Sequence, residues 1–545
     1  MAGASDPSLI RLADSILMPP FPGTTAPHWL LAALEGGLAG VTLFGPNVPP
    51  GTDASRSREL TALTASLRAA AGEPVIAIDE EGGDVTRIAQ ATGSPYPGNA
   101  ALGAVDDTAL TEAVYRAIGT DLAALGINVD LAPCVDVLAV AASPVIGTRS
   151  FGTGTDLVSR HAAAAVTGLQ SSGVAACAKH FPGHGSTRTD THEAIATVDG
   201  GMAEVRRRGL PPFAAAIASG TAAIMPGHLR VPGLTGGLPA SLSPAAITGL
   251  LRGELGFTGV VVSDALEMRA ISGSFGIPEG AVRSVAAGTD LLCLGRDTGP
   301  DVYLAVRAAL AAAVREGTLP GERLEEAAGR VAALRVRLAE ARTGSTGLTG
   351  SPRGTVPAGG TVPAGRAGPA APLGPAIPAA PGPLPDADGA RIGLAAARRA
   401  VRLSGPRPAL TEPVIIEIEQ REHTAVGRPA WGLHSWVPAG SVHRIAAGST
   451  GTSAGGGGDS AAGALEAAAG RPLVVVVRDA HRDEDTRALA SSLLARRPGA
   501  VVVEMGLPLW QPPAGTFLTY LATYGASRAS AQAAAEVLGL AEAIR

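Results

Sequence analysis

Lysine is almost absent from this chain. Lysine and arginine together number 43, yet a single lysine, Lys179, stands among them. The bias towards Ala, Gly, Pro and Arg is that of a GC-rich coding sequence, and a drift from lysine to arginine has spared one position. Arginine is a planar fork and lysine a compact point charge, so Lys179 marks a place to look for chemistry. Cysteine is nearly as scarce. Cys134, Cys177 and Cys293 exclude a disulfide framework and suit a reducing compartment. Charged residues are only 17%, but 46% of the 545 residues are hydrophobic, which allows a sizeable core and excludes wholesale disorder. A formal net charge of −5 gives no basic footprint for nucleic acid. The charge-free stretches are broken by Gly, Ser, Gln or Pro, so no membrane span is expected. The start, Met1 to Pro7, lacks the basic and then apolar pattern of a secretory signal. The expectation is a cytoplasmic protein with neither a nucleic-acid nor a membrane partner.

What is present falls into two parts. Residues 343–388 are rich in Gly, Pro and Ala, include two tandem copies of Gly-Thr-Val-Pro-Ala-Gly, and read as a spacer. They separate 1–342 from 389–545. A Gly-rich stretch from Gly451 to Gly463 reads as a loop. In the first part, short apolar runs at 15–18, 40–44, 74–79, 128–132, 174–178, 222–226, 259–263 and 289–294 alternate with amphipathic helical patterns. Continuous apolar runs such as Gly259-Val-Val-Val-Ser263 are those of buried parallel strands. Eight such units predict a (β/α)8 TIM-type barrel, with an open doubly wound sheet as the competing arrangement. Polar residues follow the strands: Asp79 the third, Asp136 the fourth, Lys179 and His180 the fifth, His228 the sixth, Asp264 the seventh. The C-terminal strand ends of a barrel share one face, and that face carries chemistry. The second part, with strand-like runs at 413–419, 472–478, 499–505 and 516–521, predicts a smaller three-layer α/β sandwich.

The densest segment runs from Lys179 to His192 and holds three of the ten histidines. His180 and His184 have the i, i+4 spacing of zinc ligands on a helix, but Pro182 and Gly183 make the segment a turn. No metal and no cofactor are expected. Asp190 and His192 stand two apart. On an extended loop they point the same way, so a carboxylate can orient an imidazole and fix its tautomer. Such a histidine can serve as general acid and then base; a satisfied polar loop is the alternative. Asp264 reads either as a nucleophilic carboxylate or as the N-cap of the next helix. Glu267, one helical turn on, is expected to face away from the pocket.

These segments together are recognisable. Lys179-His180-Phe-Pro-Gly-His184-Gly with Asp190-Thr-His192 resembles the signature of glycoside hydrolase family 3 β-N-acetylglucosaminidases, the bacterial NagZ type. Ile78-Asp79-Glu-Glu-Gly-Gly-Asp-Val-Thr-Arg87, Leu125-Gly-Ile-Asn-Val-Asp-Leu-Ala-Pro-Cys-Val-Asp136 and Ile146-Gly-Thr-Arg149-Ser-Phe-Gly follow in the family's order. Met225-Pro-Gly-His228, Ser263-Asp264-Ala-Leu-Glu-Met268 and Gly288-Thr-Asp290 complete the set. The resemblance covers about residues 10–340. It implies Asp264 as nucleophile and His192 as acid/base, oriented by Asp190. It implies a sugar pocket of Asp79, Lys179, His180, Arg87 and Arg149, supported by Asp136, with His228 beside the nucleophile.

The implied activity is a retaining exo-β-N-acetylglucosaminidase acting on small carbohydrate substrates such as cell-wall fragments. A phosphorylase, a β-glucosidase and a catalytically silent sugar-binding protein are the other readings of this scaffold. Some features depart from the pattern. Many relatives have Arg where this chain has Asp84, the linker is long, and the second domain is short. These features leave open whether the second domain touches the active site, and with the implied acid/base pair on the barrel, catalysis is not expected to require it.

Overall fold

The computed structural model describes residues 6–139, 143, 145–191, 194–344, 387–420, 427, 429–448 and 461–540. Most of the expected spacer, and the Gly-rich stretch up to residue 460, lie outside the described residues.

The eight apolar runs of the first part form eight parallel strands: β1 (Leu17–Met18), β2 (Gly40–Leu43), β3 (Val75–Ile78), β4 (Val129–Asp130), β5 (Ala175–Phe181), β6 (Ala223–Pro226), β7 (Val260–Val261) and β8 (Leu292–Cys293). Strands β2 to β7 make one sheet in sequence order, and β8 pairs with β1. A bridge between Val262 and Leu291 joins β7 to β8, and the Ala39 N–H donates to the Asp14 carbonyl at 3.0 Å between the first two units. The sheet curls into the predicted barrel. Its strands are buried along their whole length, which is why they read as unbroken apolar runs. Some of the helices between them start on side-chain caps. Asp107, for example, accepts the Leu110 N–H ahead of helix Thr108–Ala124.

The second part is a six-stranded sheet. Its strands are β9 (Arg402–Ser404), β10 (Val414–Glu419), β11 (Val442–Ala446), β12 (Leu473–Val477), β13 (Ala500–Glu504) and β14 (Phe517–Ala522), arranged β9-β14-β13-β12-β10-β11. All neighbours run parallel except β9 against β14. Helix Glu484–Arg496 covers one face and helix Arg528–Val537 the other, giving two apolar layers and the expected sandwich.

Helix Ala387–Ala400 belongs to neither face of that sheet alone. It also packs on barrel helices Asn99–Val105 and Thr108–Ala124, and Ala396 joins the barrel core. A Cβ at Gly393 would lie 2.1 Å from the Pro95 carbonyl oxygen, so the helix seats backbone against backbone. A second seam forms where Leu507 packs with Cys134, Leu138, Val145 and Ile146 of the loops beyond β4.

The hub of the interface is Asp84. Its Oδ1 accepts the Ala526 N–H at 2.9 Å, and its Oδ2 accepts the Thr148 hydroxyl at 2.6 Å. Arg478 lies 3.3 Å from the same Oδ2. The contact that the sequence leaves open is therefore present, close to the active-site face. The departure at position 84 is the contact itself: an acidic side chain there meets a backbone N–H and a guanidinium from the second domain. Asp84→Ala strands a mostly buried arginine and a backbone donor, and the expected cost is about 2–4 kcal/mol. Thermal unfolding should show it as a separate, earlier transition of the C-terminal part.

Candidate active site

Side chains from several barrel strands meet in a cavity of about 740 Å³ at the C-terminal ends of the strands. Asp79 follows β3, Lys179 and His180 lie on β5, and Asp264 follows β7. Arg87 and Arg149 come from loops, and all six line the cavity with Glu81, Glu267 and the Phe44–Pro46 turn.

Lys179 is buried, and its Nζ donates to Asp79 Oδ1 at 2.6 Å and to Glu81 Oε1 at 2.9 Å. Arg149 grips Glu81 with two bonds, Nε to Oε2 at 2.9 Å and Nη2 to Oε1 at 2.6 Å. Arg87 stands 3.7 Å from Asp79. Burial alone raises a carboxyl pKa, but here the cations win. Lys179 and Arg87 hold Asp79 below its ordinary value, and Arg149 and Lys179 drive Glu81 far down. Both carboxylates are thus anions, which can accept hydrogen bonds from hydroxyl groups. Glu81 is not among the site residues read from the sequence, because nothing in local spacing shows that it bridges Lys179 and Arg149.

Behind this layer lies Asp136, fully buried and outside the cavity wall. Its Oδ2 accepts from His180 Nδ1 at 2.7 Å, and its Oδ1 accepts the His184 N–H at 2.6 Å. His180 Nε2 is then the acceptor, 3.4 Å from Arg149 Nη2. The ligand atoms of Cys134, Asp136 and His180 lie within 4.8 Å of one another, a spacing a metal ion can use. They already bond to each other, however, with the Cys134 thiol 3.3 Å from Asp136 Oδ2, and the carboxylate is saturated with donors. The set fits a hydrogen-bonded support better than a metal centre.

Asp136 is pulled down to about 2, chiefly by the His180 and His184 partners working against burial, while burial holds His184 down to about 4. The depressed carboxylate adds stability that is complete above its unfolded value near 4 and is lost as pH falls towards 2. The neutral histidine adds stability that is complete above about 6.5 and is lost between there and 4. Urea midpoints are therefore expected to fall in two stages on acidification, and His184→Asn should flatten the upper one most.

Asp264 does not cap a helix. The next helix is Arg269–Ser272, its N-cap is Met268, and Asp264 Oδ1 accepts the Ala265 N–H at 2.8 Å. For the same reason Glu267 does not turn away. Residues 264–268 are not helical, and Glu267 lines the cavity beside Asp264. Its Oε1 accepts the Arg296 N–H at 2.7 Å, its Oε2 has no hydrogen-bond partner among the described residues, and burial pushes its pKa up to about 7. His228 is fully buried and lies off the cavity wall. Its Nε2 donates to the Ala265 carbonyl at 3.0 Å and its Nδ1 accepts from Ser241, so it supports the backbone next to Asp264. Asp190 is half-buried on the loop after β5. His192 lies outside the described residues. Gly427 of the second domain also lines the cavity.

Known proteins are similar to this chain in sequence and fold. Residues 27–334 match the glycosyl hydrolase family 3 N-terminal domain. The chain is 34% identical over 327 residues to beta-hexosaminidase A of Pseudoalteromonas piscicida, covering 55% of this chain and 54% of that protein. It is 38% identical over 261 residues to a beta-hexosaminidase of Stenotrophomonas maltophilia, covering 47% and 75%. The chain thus spans about half the length of the first relative. A solved glycoside hydrolase family 3 beta-N-acetylglucosaminidase from Paenibacillus sp. superposes with a TM-score of 0.79 at 31% identity, over 97% of this chain and 96% of that one.

Proposed function

The chain belongs to glycosyl hydrolase family 3, and from that premise we propose that it is a retaining exo-β-N-acetylglucosaminidase. One observation carries the reading: Asp264 shares a cavity with a preorganised set of sugar-hydroxyl partners, Asp79, Lys179, His180, Arg87 and Arg149. A terminal sugar held by that set would present its anomeric carbon to Asp264. Asp264 attacks, and the bond to the leaving oxygen breaks as His192 gives that oxygen a proton. Asp190, two residues before it in the sequence, orients the imidazole. Water then attacks the glycosyl-enzyme with His192 as base, and configuration is retained.

Terminal N-acetylglucosamine on peptidoglycan fragments is the proposed natural substrate. The cytoplasm is the proposed setting, in line with three separate buried thiols. Among the described residues no helix is long and apolar enough to cross a membrane.

The test is cleavage of an aryl N-acetyl-β-D-glucosaminide by the purified chain, with and without phosphate. Free N-acetylglucosamine in both buffers is the expected product. Sugar 1-phosphate formed only with phosphate would replace hydrolysis by phosphorolysis. No cleavage of this or of the glucoside would overturn the enzymatic reading.

A further inference from the structure

His184 takes no part in the sugar cavity, yet it is buried and fully engaged. Its Nδ1 lies 2.6 Å from Thr187 Oγ1, and its Nε2 lies 3.4 Å from Thr191 Oγ1. The Thr187 hydroxyl donates to the His184 carbonyl at 3.0 Å. A hydroxyl has one proton, so Nδ1–H donates to Thr187 and Nε2 accepts from Thr191. Burial, which lowers the ring's pKa, keeps it neutral.

The two threonines bracket a short exposed stretch. Thr187 and Thr191 are buried, Arg188 and Thr189 are exposed, and Asp190 is half-buried between them. The loop root is fixed separately. A Cβ at Gly185 would lie 1.9 Å from the Val137 carbonyl oxygen, and the Ala139 N–H donates to the Gly185 carbonyl at 2.9 Å. From this root the His184 ring reaches both threonines. The same Asp136 carboxylate accepts from His180 on the cavity wall and from the His184 backbone.

We propose that His184 is a positioning residue for acid/base catalysis: its ring pins both ends of the loop that carries Asp190, and Asp136 ties that loop to the sugar pocket. The inference rests on the reading of Asp190 and His192 as the acid/base pair. A loosened loop would misplace the acid while leaving the nucleophile and the sugar contacts in position. The defect therefore depends on how much the leaving group needs a proton.

The experiment compares kcat/KM for phenyl and 2,4-dinitrophenyl N-acetyl-β-D-glucosaminides in the full chain, with His184→Ala, Thr191→Val and His192→Ala. Loss of general acid help acts on the order of 10²-fold. H184A is expected to lose about that much on the phenyl substrate and no more than about threefold on the dinitrophenyl one, whose leaving group needs no proton. T191V, which keeps the volume and removes one hydroxyl, should lose about tenfold on phenyl alone. If H184A does not fold, T191V decides. Equal losses on both substrates in the folded variants would overturn the proposal. An H192A variant with no leaving-group dependence would overturn the acid assignment on which it rests. An inert wild-type chain would overturn the glycosidase reading itself.

Discussion

Asp264→Asn is expected to lower kcat/KM for an aryl N-acetyl-β-D-glucosaminide by about 10⁴-fold or more, the scale on which loss of a covalent nucleophile acts. Asparagine keeps the shape of the side chain, and its amide oxygen can still accept the Ala265 N–H that Asp264 Oδ1 holds at 2.8 Å. It cannot form the glycosyl ester. Melting should therefore stay close to wild type while turnover disappears, a split that a merely structural role would not produce. The fixed surroundings favour this outcome. The Ser263 hydroxyl receives the Cys293 N–H at 2.9 Å, and His228 holds the Ala265 carbonyl, so the backbone on both sides of Asp264 is tied down. Azide supplied to Asp264→Ala would attack from the vacated face and give the α-glycosyl azide, which identifies the missing group as the nucleophile. The rival within the same cavity is Glu267. Burial keeps a large share of it protonated near neutrality, which makes it a poor nucleophile. Glu267→Gln should keep most of the activity; if it were the inactive variant and Asp264→Asn the active one, the two roles would be exchanged.

The sequence carried the barrel because burial on both sides of a parallel strand leaves an unbroken apolar run, and all eight runs form strands. Two strands of the second domain escaped notice. Arg402-Leu-Ser404 and Val442-His-Arg-Ile-Ala446 are the edges of their sheet, and exposed or half-exposed residues erase the apolar signal there. The polar residues after the strands were legible as one face, because strand order fixes which ends converge. Their pairings were not. Lys179 meets Asp79 across 100 positions, and Asp84 meets the Ala526 N–H across 442, and neither distance leaves a trace in local spacing. Glu267 was misplaced by counting a helical turn through residues that are not helical.

The lone lysine sets the last expectation. Asp79 and Glu81 sit side by side with three cations, Lys179, Arg149 and Arg87, so the cluster is balanced by charge rather than by solvent. Lys179→Met removes the charge at similar volume and leaves two carboxylates that share one fewer cation. Removing one partner of a buried pair costs up to about 3–5 kcal/mol, and the loss here is expected at the lower end because Arg149 still holds Glu81 and Arg87 still stands by Asp79. In the wild type the depressed Asp79 and Glu81 add stability that is complete above their unfolded values near 4 and is lost as pH falls further. Lys179→Met lets both pKa values rise, so the variant should be destabilised most at neutral pH and approach wild type in acid. Lys179→Arg keeps the charge and tests geometry instead. A planar guanidinium is wider than an ammonium that donates to Asp79 at 2.6 Å and Glu81 at 2.9 Å in a nearly closed space. Stability should recover in large part, while kcat/KM falls by about 10²-fold through a displaced Asp79. A Lys179→Arg enzyme with wild-type kinetics would mean that charge alone is required here, and that the survival of one lysine in an arginine-rich chain has no chemical cause at this site.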